Sequence, residues 1–252
     1  MAVKVKSKQI QIKANGLHFK ELNQLIRQAV AKGNTSLKLS GVNGQRYIGT
    51  GLQGKIKITV EGVAGADLGA FMDGPNIVVK GNAQDAVGNT MNAGSIIVHG
   101  NASDVCGIAA RAGRMFIKGD VGYRAGIHMK EYQDLKPVLI IGGRAYDFLG
   151  EYMAGGILVV LNLNSKEKLL PSSYIGTGMH GGVIYIRGKV EERQLGKEVS
   201  PLKLDSADEQ KLFPHLKDFA RSFQLDFDKI VKEEFVKLLP LSHRPYGRLY
   251  AY

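Results

Sequence analysis

Ile77-Val-Val-Lys-Gly81, Ile96-Ile-Val-His-Gly100 and Met115-Phe-Ile-Lys-Gly119 are one short phrase repeated at intervals of 19 residues. An earlier copy ends at Gly62. Two places before the glycine stand Val60, Val79, Val98 and Ile117; four places before it stand Ile58, Ile77, Ile96 and Met115. Alternate places carry Lys57, Thr59, Glu61, Lys80, His99 and Lys118. That period of two predicts short strands with apolar side chains inward and polar ones outward. Leu158 with Val160 and Ile184 with Ile186 continue the pattern.

A second glycine series runs in step: Gly49, Gly69, Gly88, Gly107 and Gly126, then Gly150 and Gly176 after insertions at Met129–Pro137 and Asn164–Pro171. Three places after each stand Leu52, Met72, Met91, Ala110, Met129, Met153 and Met179. One place before each stand Ile48, Leu68, Val87, Cys106, Ala125, Leu149 and Ile175. Like residues at a fixed period stack on one another in a solenoid, where each coil buries its apolar face against its neighbours. The reading is a mainly β chain. A parallel β-helix of about seven coils spans Tyr47 to Gly188, with its turn glycines at Gly49, Gly69, Gly88, Gly107, Gly126, Gly150 and Gly176.

The flanks differ in kind. Residues 1–44 are expected to form a small α/β cap, with a strand-like run at Ile10 and Ile12 and an amphipathic helix over His18 to Ala31 that Gly33-Asn34 stops. Residues 45–190 form the solenoid, and residues 191–252 read as a helical extension. Ser206 and Glu209 have capping-box spacing, Pro214 is expected to divide two short helices, and Asp228 to Leu239 is predicted helical. Both flanks are expected to cover the open solenoid ends. Arg244, Tyr246, Arg248, Tyr250 and Tyr252 have the composition of interface anchors, a docking strip for a partner or a cap on the last coil.

Composition bounds the function. The chain has 252 residues and 32 glycines, about twice the usual share of ~7%. No collagen triplet accompanies them, so turns with positive φ are the natural use. A formal charge of +11 permits an anionic partner, although the basic residues are scattered along the sequence and no nucleic-acid motif accompanies them. A single cysteine excludes an internal disulfide and fits a reducing, cytoplasmic setting. No apolar run approaches the ~18 residues of a membrane span.

Catalytic signals are weak. Gly49-Thr-Gly-Leu-Gln-Gly54 and Gly176-Thr-Gly-Met-His-Gly181 match a dinucleotide fingerprint in letters, but strands follow them where the fingerprint needs a helix. They read as turns. Cys106 falls in an inward ladder. His18, His99, His128, His180, His215 and His243 lack metal-ligand spacing, with His128 and His180 the only pair near a common edge. Asp67, Asp85, Asp104 and Asp147 recur at outer turns, where local Asx hydrogen bonding accounts for them. No catalytic, cofactor-binding or metal residue is assigned.

Val42-Asn-Gly-Gln-Arg-Tyr-Ile-Gly49, Asp147-Phe-Leu-Gly-Glu-Tyr-Met-Ala-Gly-Gly156 and Gly176-Thr-Gly-Met-His-Gly-Gly182 resemble the glycine-motif C-terminal domain of the glutamate synthase large chain, over roughly residues 10–190. The resemblance implies a right-handed β-helix with a structural role. In that family the domain supports an amidotransferase and an FMN-binding synthase domain and helps shape the ammonia route between them. Flavin, iron–sulfur and glutaminase residues belong to those other domains. It therefore implies a non-catalytic scaffold subunit of a split glutamate synthase, an oxidoreductase complex of glutamate biosynthesis. FMN and iron–sulfur would lie in partner subunits, namely a glutaminase-type amidotransferase and an FMN-binding synthase. The repeat also resembles the C subunit of formylmethanofuran dehydrogenase and the β-helix subunit of N-methylglutamate synthase. A free-standing polyanion-binding solenoid is a different class of reading, which Lys and Arg gathered on one face would support. A β-helical sugar hydrolase ranks last, because Glu61 and Glu151 stand alone in the register.

Overall fold

A computed structural model describes residues 9–241. Its strands form one sheet of 11 in the order β1-β2-β3-β4-β5-β6-β7-β8-β9-β11-β10. The strands are β1 (Ile10–Lys13), β2 (Ser36–Asn43), β3 (Lys57–Val63), β4 (Asp73–Val79), β5 (Ala93–Val98), β6 (Arg114–Ile117), β7 (Val138–Ile141), β8 (Ala154–Val160), β9 (Gly181–Arg187), β10 (Val199–Lys203) and β11 (Phe235–Pro240). Pairing is parallel from β1 through β9. Consecutive strands in parallel register require the chain to travel round and return one level on. The result is a β-solenoid of about six turns. The sequence count of seven includes the Gly49 level, which belongs to the coil leading out of the cap strand β2 into β3.

The ladders account for the core. Ile58, Ile77, Ile96, Met115, Leu139, Leu158 and Ile184 form one fully buried row in strand register. Val60, Val79, Val98, Ile117, Ile141, Val160 and Ile186 form the next. The corner rows that follow and precede the second-series glycines are buried too, from Leu52 to Met179 and from Ile48 to Ile175. Coil-to-coil hydrogen bonds hold the levels: Gly69 N–H donates to the Ile48 carbonyl at 2.8 Å and Gly107 N–H to the Val87 carbonyl at 2.7 Å.

Helix α1 (Phe19–Ala31) lies in the N-terminal cap. His18 and Glu21 form its capping box, and Leu22, Ile26 and Ala29 are its buried face. The C-terminal part carries the expected helices and adds two strands. Helix α2 (Ser206–Phe223) is capped by Asp205 reciprocally with Asp208, not by Ser206 with Glu209. It runs unbroken through Pro214, which forgoes one helix hydrogen bond. Burial of Leu212, Leu216, Phe219, Ala220 and Phe223 on the sheet offsets that loss. The segment read as a helix over Asp228 to Leu239 splits into the short helix α3 (Phe227–Val231) and the strand β11.

The reason is tertiary. The last solenoid strand, β9, offers an open edge, and β11 closes it antiparallel, with β10 beyond. Val236 and Leu238 pair with Ile186 and Ile184 and extend the interior rows, while Lys237 pairs with Tyr185 on the outer face. Strands therefore close this end. α2 instead lies along the flank of the sheet, reaching from Tyr185, which donates to Asp208 at 2.8 Å, to His99, whose ring meets Phe223 edge-on at 5.2 Å. This explains why the outward positions of the later strands are apolar. Phe116, Ile140, Val159 and Tyr185 are buried beneath α2 in a second hydrophobic cluster.

Candidate interaction surface

The second-series corner has one backbone form at every level. Gly49, Gly69, Gly88, Gly107, Gly126, Gly150 and Gly176 all have φ between 67° and 77°. Two places before them Tyr47, Asp67, Ala86, Val105, Arg124, Phe148 and Tyr174 are also left-handed, with φ from 51° to 64°. Two places after them so are Gly51, Phe71, Thr90, Ala109, His128, Tyr152 and Gly178. Three left-handed rows in one turn are costly for residues with a Cβ, so the stacking must over-determine them.

Why only the middle row is always glycine follows from direction. A Cβ on Gly150 would lie 2.5 Å from Ile184 Cδ1, and one on Gly49 2.6 Å from Ile77 Cδ1. The middle position faces the packed interior. The flanking rows face out, and there the chain carries large side chains.

Those outward rows build the candidate site. Phe148 and Tyr174 stack at 5.0 Å with planes 10° apart; His128 and Tyr152 stack at 5.4 Å and 12°. The Arg124 guanidinium lies 4.8 Å from the Phe148 centroid and donates from Nε to Glu151 at 2.9 Å. Glu151, although 8% exposed, is thus paired. Tyr123 and Tyr146 make a further pair at 5.7 Å on the same side of the repeat. Tyr152 and Tyr174 remain 46% and 57% exposed, although held between neighbours. At the opposite end Arg46 sits over Phe19 and Tyr47. Ala86, Thr90, Val105 and Ala109 make a low saddle between the two aromatic ends. Stacked rings and arginine on a rigid corner are the side chains that anchor protein interfaces, since they bring large area with little entropy left to lose.

The remaining sequence candidates separate. Both GxGxxG segments occupy this corner, and β-strands follow them, so they present no helix N-terminus to a pyrophosphate. Cys106 is fully buried, and burial pushes its thiol up to about 12. Its reaction with a thiol reagent at pH 8 should therefore proceed only at the rate of opening; rapid labelling of the folded protein would contradict the packing. His128 stacks on Tyr152, whereas His180 Nδ1 contacts the Gly178 carbonyl at 3.1 Å, one level beyond; the structure shows no shared contact between them. His99 is not the solvated residue expected from its outward place. It is half-buried against Phe223, and burial first, then Lys80 and Lys118, lowers its pKa.

The recurrent acids hold the coils together, with little of the expected local turn bonding. Asp104 accepts from Tyr123 N–H at 2.9 Å and Asp147 from Ser173 N–H at 2.8 Å, each one coil on. Asn82, Asn101 and Asp120 do the same in a second ladder. That ladder explains Gly100 and Gly119, where a Cβ would lie 2.1 Å from Asn82 Oδ1 and 1.9 Å from Asn101 Oδ1; at Gly62 and Gly81 it would meet the Val42 and Gly62 carbonyl oxygens at 2.0 and 2.4 Å. Arg244, Tyr246, Arg248, Tyr250 and Tyr252 lie outside the described residues. Among the described residues no group of three or more His, Cys, Asp or Glu side chains is arranged to hold a metal ion, and no helix is long and apolar enough to cross a membrane.

A solenoid whose every level turns through a left-handed glycine is a recognisable class. The GXGXG motif family model, of the glutamate synthase domain 3 type, matches residues 24–241, and the chain belongs to this family. It is similar to an uncharacterized protein of Methanocaldococcus jannaschii, at 49% identity over 252 residues and 96% of each chain.

Proposed function

We propose that this chain is a non-catalytic scaffold subunit of a split glutamate synthase, binding a glutaminase-type amidotransferase subunit and an FMN-binding synthase subunit. The observation that carries the reading is the exposed aromatic stripe on the glycine corner, ordered before any partner arrives. Phe148, Tyr174 and Tyr152 are held by stacking and by left-handed backbone, so docking them costs little further entropy. Family membership supports the choice of partners, and the flavin and iron–sulfur chemistry is assigned to them.

Co-expression with the two candidate partners tests this. The tagged chain should retain at least one of them. Phe148→Ala with Tyr174→Ala should weaken that association by more than about tenfold, the loss of an interface anchor of ~2 kcal/mol. Lys189→Ala serves as the surface control. Retention unchanged in the double variant, with both proteins melting alike, would remove the corner from the interface.

A further inference from the structure

The outer face of the sheet is covered unevenly. α2 shelters Phe116, Ile140, Val159 and Tyr185, and ends with Phe223 at His99. Beyond it the same outward row continues through Ile97, Val78 and Thr59 to Lys38. No helix lies on that stretch among the described residues. Ile97 is only partly buried where it meets the second cluster, and Val78 is likewise partly buried.

Lysines flank this row. Lys38 ends the row on β2, and Lys13 on β1, Lys57 on β3, and Lys80 and Lys118 just past the ends of β4 and β6 lie beside it, so residues scattered in sequence gather on one face. Glu61 is the carboxylate among them, and Lys38 already holds it at 2.7 Å. Asp73 begins β4, three residues before the Lys57–Asn76 register. Asp218 at the rim is held by Arg114 at 2.7 Å and Arg221 at 2.9 Å. Among the described residues, Lys13, Lys57, Lys80 and Lys118 have no carboxylate within ion-pair distance. Lys80 and His99 lie 3.2 Å apart; burial first, then Lys80 and Lys118 on either side, opposes protonation of His99. The field here is positive and uncompensated.

We infer that the outer face of β1–β5 docks an acidic amphipathic helix of a partner protein, seated on Thr59, Val78 and Ile97 as a continuation of α2. Three features select that occupant. The row is the one on which the chain already seats a helix of its own. The flanking lysines ask for carboxylates along both sides of the incoming apolar stripe. The outward places of β1–β5 carry no aromatic ring, so single-stranded nucleic acid would find charge without a stacking platform. This face shares no residue with the glycine corner, and the inference stands apart from the glutamate synthase reading.

Three fluorescent probes test it by anisotropy on the full chain. One is a peptide of about 18 residues with a leucine stripe and a glutamate face, long enough to cross five strands. The second has lysine in place of the glutamates, and the third is oligothymidylate of about 20 nucleotides. The acidic helix should bind saturably and the basic one should not. Lys57→Glu, Lys80→Glu and Lys118→Glu together should weaken it at least about tenfold, as should Ile97→Glu alone. Absence of saturable binding overturns the inference. So does binding indifferent to Ile97→Glu, which reduces the face to unspecific charge. Tighter binding of oligothymidylate, lost with the same lysines, overturns it in favour of nucleic acid.

Discussion

Gly150→Val should lower the unfolding free energy by about 3 kcal/mol or more, a large share of the ~5–15 kcal/mol typical of a folded domain. Two costs combine. The position has φ of 67°, where a side chain loses on the order of 1–2 kcal/mol and a β-branched one more. Its Cβ would also enter the interior 2.5 Å from Ile184 Cδ1, and overpacking a tight core adds about 1–3 kcal/mol. Alanine at Gly51 and Gly49 separates the terms. Gly51 has φ of 64° and nothing within 4 Å of its would-be Cβ, so Gly51→Ala should show only the backbone cost. Gly49→Ala meets Ile77 Cδ1 at 2.6 Å and should cost distinctly more. Equal melting temperatures for those two alanines would mean that the Ile77 δ-methyl yields without cost, so that this contact does not select glycine in the middle row.

Lys237→Met should be the second large loss, on the order of 3 kcal/mol, because it strands the Asp208 carboxylate where the first turn of α2 meets the sheet. Both groups are nearly buried, in direct contact with each other, and Tyr185 donates to the same carboxylate. Desolvation, the largest influence on Asp208, pushes its pKa up. The hydrogen bonds from Lys237, the Asp205 N–H and Tyr185 together outweigh it and hold the carboxyl below its ordinary value. Lys237 is raised, first by its hydrogen bond to Asp208. A depressed carboxyl contributes stability that is present above its unfolded pKa of about 3.9 and lost as pH falls through the folded value. A raised ammonium contributes stability that is present below about 10.4 and lost as pH rises through its folded value. The deficit of the methionine variant should therefore shrink as falling pH protonates the stranded Asp208 carboxylate, whose pKa desolvation raises once Lys237 is gone. A deficit independent of pH in chemical denaturation at each pH would show that the ion pair is not its cause.

What could be read in advance follows from how the information is stored. The solenoid was legible because like residues recur at one period and each ladder stacks on itself, so the spacing of Met72, Met91, Met129, Met153 and Met179 marks them as one buried row. The end of the chain was not, because nothing local distinguishes Phe235 to Pro240 as a strand; the open edge of β9 decides it. The apolar outward positions Phe116, Ile140, Val159 and Tyr185 did carry a signal. A solenoid strand apolar on both faces must be covered on both, and that predicts a flank helix. The aromatic corner was half visible: Phe148, Tyr152 and Tyr174 lie at fixed offsets from their glycines, but left-handed backbone at tyrosine and phenylalanine is a choice no propensity favours. The basic face was hidden entirely, since Lys13, Lys38, Lys57, Lys80 and Lys118 come together only when the six strands β1 to β6 are laid side by side.

The most direct test of the scaffold role is reconstitution of glutamine-dependent glutamate formation from three separately purified proteins: this chain, the glutaminase-type subunit and the FMN-binding synthase subunit. The chain alone should form no glutamate, the two partners without it should couple poorly, and adding it in stoichiometric amount should restore coupling and yield a single assembly by light scattering. Full coupling by the two partners in its absence, or glutamate formed by this chain alone, would contradict the account.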